Sequence, residues 1–214
     1  MPWFYYVCIL LVRLLLFLFT RLEVKGKENL PGNGAVLIVA NHMSLADPPL
    51  LGVSLGRVVM FMAKRELFKF KPFAYLIHGL GAFPVHRGQL DRNAIRQATQ
   101  ALAQGQALIM FPEGMRSRSG KLRAAFPGSA LIALRCDVPI LPVGITGTEK
   151  MKGIGWILRR PRVTVNVGHP FSLPPVHGAL TREKLVENTN IIMRHIADML
   201  PQEYRGYYAG ESVV

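Results

Sequence analysis

Short apolar runs alternate with helix-patterned segments along most of this chain, and that alternation restricts the fold more than any other feature. The runs at 35–40, 58–63, 82–85, 107–111, 140–145 and 163–167 are nearly continuous in Val, Ile, Leu, Ala, Met and Phe. Strands of that kind are covered on both faces, as in parallel sheets. Between them lie helix-patterned segments at 48–55, 66–70, 72–79, 92–104, 128–135 and 182–200, and a short extended stretch at 22–25 precedes the first strand. The pattern predicts an α/β domain whose mostly parallel central sheet is flanked by helices. Ligands of such sheets collect where strands end and helices begin.

With 214 residues, the chain suits one domain, and half of its residues are hydrophobic. That is ample apolar area for a packed core, and it excludes disordered and low-complexity classes. The 26 basic and 13 acidic residues leave a net charge of +13. Such an excess predicts an anionic partner: nucleic acid, an acidic membrane surface or a phosphorylated substrate. Cys8 and Cys136 form no C-x-x-C pair, so no disulfide framework or cysteine-rich zinc site is available and a reducing compartment is expected.

Residues 3–19 are apolar apart from Arg13. As a helix the run would be about 25 Å long, slightly short of a hydrocarbon core. No basic start precedes it and no small-residue cleavage site follows it, so it does not read as a secretory signal. The expectation is a membrane-associating helix over residues 1–21, followed by one domain over 22–214. The helix either spans the bilayer, with Arg21, Lys25 and Lys27 holding its end in the cytoplasm, or lies in one leaflet with Arg13 reaching the headgroups. Both place the chain at the cytoplasmic face of the cell membrane, in contact with an anionic surface. An apolar N-terminus and the lack of any nucleic-acid-binding motif weigh against a nucleic-acid partner.

Three strand ends carry unusual residues. The first is Asn41-His42-Met43-Ser44-Leu45-Ala46-Asp47. Across a strand-to-helix junction, the Asp47 carboxylate can orient the His42 ring, leaving the imidazole to take a proton from a hydroxyl. Ser44 and Asp47 also fit a capping-box pattern. The second is Gly81-Ala82-Phe83-Pro84-Val85-His86-Arg87-Gly88, which presents Arg87 at the sheet rim, where a guanidinium can clamp phosphate. His86 reads as an ordinary rim histidine, and its five-residue spacing to Asp91 as coincidence. The third is Phe111-Pro112-Glu113-Gly114-Met115-Arg116-Ser117, followed by Arg118, Lys121 and Arg123. Gly114 lets the backbone approach a ligand. The cations suit a phosphorylated substrate, and Glu113 suits its hydroxyls. Arg118, Lys121 and Arg123 read as a solvated face. The segment 138–143 reads as sheet core.

In this order and spacing the blocks resemble the 1-acylglycerol-3-phosphate acyltransferase family, within the wider glycerolipid acyltransferases. The resemblance covers roughly residues 22–170. It implies a glycerolipid-acyltransferase-like αβ sandwich and a transfer of a fatty acyl group from acyl-CoA or acyl carrier protein to the free sn-2 hydroxyl of lysophosphatidate, yielding phosphatidate. By similarity His42 is the general base and Asp47 its orienting partner. Arg87 and Arg116 hold the acceptor phosphate, and Glu113, Gly114, Asn41 and Ser44 belong to the substrate-binding blocks. No metal or prosthetic group is implied. Met115 stands where the family usually has threonine, and Pro127 where many members have lysine, which leaves another lysophospholipid or an acylated amino acid as the alternative acceptor. A hydrolase would need a G-x-S-x-G nucleophile elbow at a strand-to-helix turn; the match at Gly52-Val53-Ser54-Leu55-Gly56 falls in the helix-patterned segment at 48–55 instead. His78, His169, His177 and His195 lack metal-ligand spacing. Arg159, Arg160 and Arg162 read as a solvated or lipid-facing patch.

Overall fold

The structure, a computed structural model, describes residues 2–86, 91–176 and 178–210. Its frame is a sheet of seven strands: β1 (Arg21–Lys25), β2 (Val36–Ala40), β3 (Val59–Lys64), β4 (Ala82–Val85), β5 (Ala107–Met110), β6 (Ile140–Thr146) and β7 (Arg162–Val167). They lie side by side in the order β1-β7-β6-β2-β5-β3-β4. Every neighbouring pair is parallel except β6 and β7. The apolar runs read as strands are therefore strands, and the expected mostly parallel α/β architecture is present.

Seven helices accompany the strands among the described residues: α1 (Pro2–Phe19), α2 (Asp47–Leu55), α3 (Lys71–Gly79), α4 (Arg92–Ala103), α5 (Gly128–Cys136), α6 (Trp156–Arg159) and α7 (Arg182–Asp198). Side chains of a strand alternate between faces, and the central strands divide accordingly. Val36, Ile38 and Ala40 of β2 pack with Leu50 and Leu51 of α2 and Ile77 of α3. Leu37 and Val39 pack with Ala98 of α4, Ile132 of α5 and Ile192 of α7. Both sheet faces are thus closed by helices, which explains why β2 is buried at every position. The helix expected over 66–70 is only a 3-10 turn, Arg65–Phe68. The chain turns too soon into α3, whose first residues include Pro72.

Of the two placements expected for the N-terminal helix, spanning the bilayer is not supported. Among the described residues, no helix is long and apolar enough to cross a membrane. Instead, α1 lies against α2, with Tyr5, Cys8 and Leu16 buried along one stripe at helical spacing. The Tyr5 hydroxyl donates to the Arg57 carbonyl at 3.3 Å, and Ile9 sits against Gly52. Phe4 packs so closely on Gly79 of α3 that a Cβ there would lie 2.3 Å from its ring. The opposite face, including Leu10, Leu14 and Phe17, is exposed.

Candidate active site

Strand β2 delivers Asn41 and His42 past its last residue, and the chain turns at once into α2. Asp47 is the first residue of that helix, so the intervening loop brings its carboxylate back over the strand end. His42 Nδ1 lies 2.8 Å from Asp47 Oδ2, and both side chains are almost completely buried. The same oxygen accepts the Met43 and Ser44 backbone amides, each at 2.7 Å. Three donors on one oxygen fix the carboxylate, and the carboxylate fixes the ring: Nδ1 carries the proton that Asp47 accepts. The expected capping box is only half formed. Asp47 reaches back to the Ser44 amide, but the Ser44 hydroxyl accepts from Ala46 instead, at 3.3 Å.

The block after β5 holds His42 from the other side. The His42 backbone amide donates to Glu113 Oε1 at 2.9 Å, and the Arg123 amide donates to Oε2 at 3.1 Å. The His42 carbonyl accepts from the Ser117 amide at 2.7 Å. Phe111 stacks on the imidazole, with ring centroids 4.3 Å apart and planes 24° from parallel. Burial pushes the Glu113 carboxyl up to about 7; the amides of His42 and Arg123 oppose that shift, and the neighbouring Asp47 charge adds to it.

Two of the expected substrate-binding residues, Glu113 and Asn41, have backbone partners in this geometry. Glu113 is buried and both its oxygens serve backbone amides, so it positions His42 rather than facing a ligand. Asn41 is buried as well. Its Nδ2 donates to the Ile145 carbonyl at 2.8 Å and its Oδ1 accepts the Ile145 amide at 2.7 Å. It stitches the end of β2 to β6. Gly114 adopts a φ of +67°, and a Cβ there would lie 2.8 Å from the Phe126 ring. Its glycine is required by the turn itself. Arg116 is exposed beside this block. Arg87 lies outside the described residues.

The second His–Asp pair is not a coincidence of spacing. His86 Nδ1 lies 2.9 Å from Asp91 Oδ2, which also accepts the His86 amide at 2.9 Å. Asp91 Oδ1 accepts the amides of Asn93 and Ala94 and so caps α4. Burial raises the Asp91 carboxyl, but these hydrogen bonds outweigh it and hold the group at about 2. The two pairs differ at the remaining ring nitrogen. Arg65 donates to His86 Nε2 at 3.0 Å, so that lone pair is occupied. His42 lines a cavity of about 310 Å³, which Asp91 also borders, whereas His86 lines a separate, more polar one with Arg65, Lys69 and Arg96. The other walls of the His42 cavity are chiefly apolar, including Met62 and Val85 from the sheet, Ile95 from α4 and Ile132 from α5. That volume is within the range of small-molecule sites. The α4 and α5 contributions were not foreseen from sequence, because on an amphipathic helix a cavity wall has the same pattern as a core face.

A family model described as acyltransferase matches residues 21–146, more than half of the chain. The chain belongs to the acyltransferase family. It is 28% identical over 183 residues to a chloroplastic 1-acyl-sn-glycerol-3-phosphate acyltransferase of Brassica napus, covering 81% of this chain and 52% of that one. A Streptococcus pneumoniae 1-acyl-sn-glycerol-3-phosphate acyltransferase is 34% identical over 142 residues, covering 65% and 51%. The Bacillus subtilis protein of the same name is 26% identical over 197 residues, covering 91% and 96%. The chain thus spans about half the length of the first two and nearly all of the third. The crystal structure of the 1-acyl-sn-glycerophosphate acyltransferase of Thermotoga maritima aligns with a TM-score of 0.70 at 29% identity, covering 91% of this chain and 79% of that one.

Proposed function

We propose that this acyltransferase moves a fatty acyl group from a thioester of CoA or acyl carrier protein to the sn-2 hydroxyl of lysophosphatidate, giving phosphatidate. The observation that carries the reading is the buried His42–Asp47 pair opening on an apolar cavity. Similarity to relatives named for this reaction supports the choice of acceptor. With Nδ1–H held by Asp47, Nε2 is the nitrogen that faces a substrate. It takes the hydroxyl proton as the oxygen attacks the thioester carbonyl. The tetrahedral intermediate collapses, the C–S bond breaks, and the imidazolium returns the proton to the departing thiolate. The acyl chain occupies the apolar cavity. Arg87 and the exposed Arg116 hold the acceptor phosphate. In the same reading the exposed apolar face of α1 lies in one leaflet of the cytoplasmic side of the membrane, which brings the site to its lipid substrate.

Thiol release from acyl-CoA or acyl carrier protein, measured with and without lysophosphatidate in detergent, tests the reaction. Acceptor-dependent release with formation of phosphatidate is expected. Release without acceptor would show a thioesterase instead. Arg116→Ala should raise the KM for lysophosphatidate about tenfold or more, since charge-assisted bonds to phosphate are strong, and should leave KM for an acceptor lacking phosphate unchanged. Equal effects on both acceptors would remove Arg116 from the phosphate site.

A further inference from the structure

We propose that a groove beside α1, separate from the His42 cavity, binds one anionic phospholipid of the bilayer, chain along the helix and phosphate among Arg21, Lys152, Arg159 and Arg160. This rests on the placement of α1 at a membrane proposed above. Two cavities meet here. The first, about 690 Å³, runs along Leu10, Leu14 and Phe17 of α1 and is closed by Leu22 and Val24 of β1 and Val53 of α2. The second, about 580 Å³, is walled by Lys150, Lys152, Arg159 and Arg162. Arg21 and Arg160 line both, so the apolar groove ends at a cluster of cations.

The seam is built rather than incidental. Arg160 follows α6 in the left-handed region, at φ +43°, a conformation that costs a non-glycine residue energy. Its guanidinium donates to the Phe17 carbonyl at 3.1 Å, which ties the cationic cluster to the last turn of α1. Trp156 of α6 meets Phe19 edge-on, at 6.5 Å between centroids. The cluster keeps a positive excess: six cations line the second cavity with one acid, Glu149, which also accepts from the Tyr204 hydroxyl at 2.9 Å, and Glu23 lies 4.0 Å from Arg162 and is shared with Lys25.

Charge alone would admit a nucleic acid. The apolar side chains around the cluster favour lipid. Ile154 is 84% exposed and Leu158 is 90% exposed, both within the segment that carries Lys152 and Arg159, and Phe17 is 72% exposed at the groove. Large apolar side chains interleaved with cations are the composition of a headgroup–acyl boundary. A basic residue near an anionic leaflet strengthens binding about fivefold.

The full-length chain, mixed with vesicles of phosphatidylcholine or of phosphatidylcholine and phosphatidylglycerol in equal parts, provides the test. Wild type should bind the anionic vesicles at least tenfold more tightly. The double variant Lys152→Glu/Arg159→Glu should lose that preference while keeping its turnover in detergent, because neither residue lines the His42 cavity. In Trp3→Phe, Trp156 is the remaining tryptophan, and spin-labelled phosphatidylglycerol should quench it more than spin-labelled phosphatidylcholine. Equal quenching, a preference retained by the double variant, displacement from anionic vesicles by inorganic phosphate, or equally tight binding of duplex DNA would each overturn the site. Tight binding to both vesicle types alike would leave α1 at the membrane and remove only the lipid site. Loss of acyl transfer with anionic preference intact would count against the proposed reaction alone.

Discussion

His42→Ala should lower kcat/KM for acyl transfer by at least ~10²–10⁴, the range over which a positioned general base contributes. The fold should survive the change. Asp47 keeps its two backbone donors from Met43 and Ser44, and the loop they close does not depend on the imidazole. Asp47→Asn separates orientation from proton transfer. Its side-chain oxygen can still accept both amides, so the loop should persist, but the charge that stabilises an imidazolium is gone. A loss of similar order in kcat, with KM little changed, is expected. His86→Ala is the matched control. The His86–Asp91 pair has the same spacing and a 2.9 Å contact, yet Arg65 already occupies its Nε2. Its removal should leave kcat within a few fold. A fully active, folded His42→Ala protein would sink the mechanism, and a kcat loss in His86→Ala comparable to that of His42→Ala would mean the wrong pair had been chosen.

The contrast between these two pairs shows what the sequence could and could not convey. Five-residue spacing brings histidine and aspartate together in both places, because each sits across a junction where a strand gives way to a helix. Spacing cannot report the environment. His42 is enclosed by Phe111, Glu113 and Ser117, which arrive from a block about 70 residues further along the chain. His86 stands at the rim, where an arginine reaches it. Strands were legible because a doubly covered sheet writes its burial as unbroken apolar runs. The antiparallel pairing of β7 with β6 was not, since a short apolar run looks the same in either direction. The four-residue α6 is too brief to show a period. The backbone partners of Glu113 are hidden from the sequence for a related reason. An acid beside several cations looks like part of a binding face, and only the fold shows its oxygens turned inward to the amides of His42 and Arg123. The apolar stretch of α1 was legible as a helix. Its hydropathy could not say that one stripe of it is spent on α2.

Glu113→Ala should be the most destabilising single change in the site. It deprives the buried His42 amide of its acceptor and leaves the Arg123 amide without one. Each orphaned buried donor costs about 1–3 kcal/mol, so a fall in Tm of roughly 5–15 °C is expected for a domain of this size. Activity should fall with it, because the His42 backbone is no longer held against the third block. Glu113→Gln is the informative companion. Its amide group must face one of two backbone donors with an N–H of its own, so it repairs only one of the two bonds. It also removes the titration. Burial raises the Glu113 carboxyl from 4.5 to about 7 in the folded chain. Between those values the folded state binds more protons than the unfolded state, and the group's contribution to stability therefore declines as pH rises, levelling off above about 7. Over that window the stability of wild type should drop relative to Glu113→Gln, by at most on the order of 3 kcal/mol. Chemical denaturation of both proteins from pH 4.5 to 8 measures the difference. A wild-type curve parallel to that of Glu113→Gln would mean that Glu113 titrates in the folded chain as it does in the unfolded one. In that case the two backbone amides would cancel the effect of burial on its charge state.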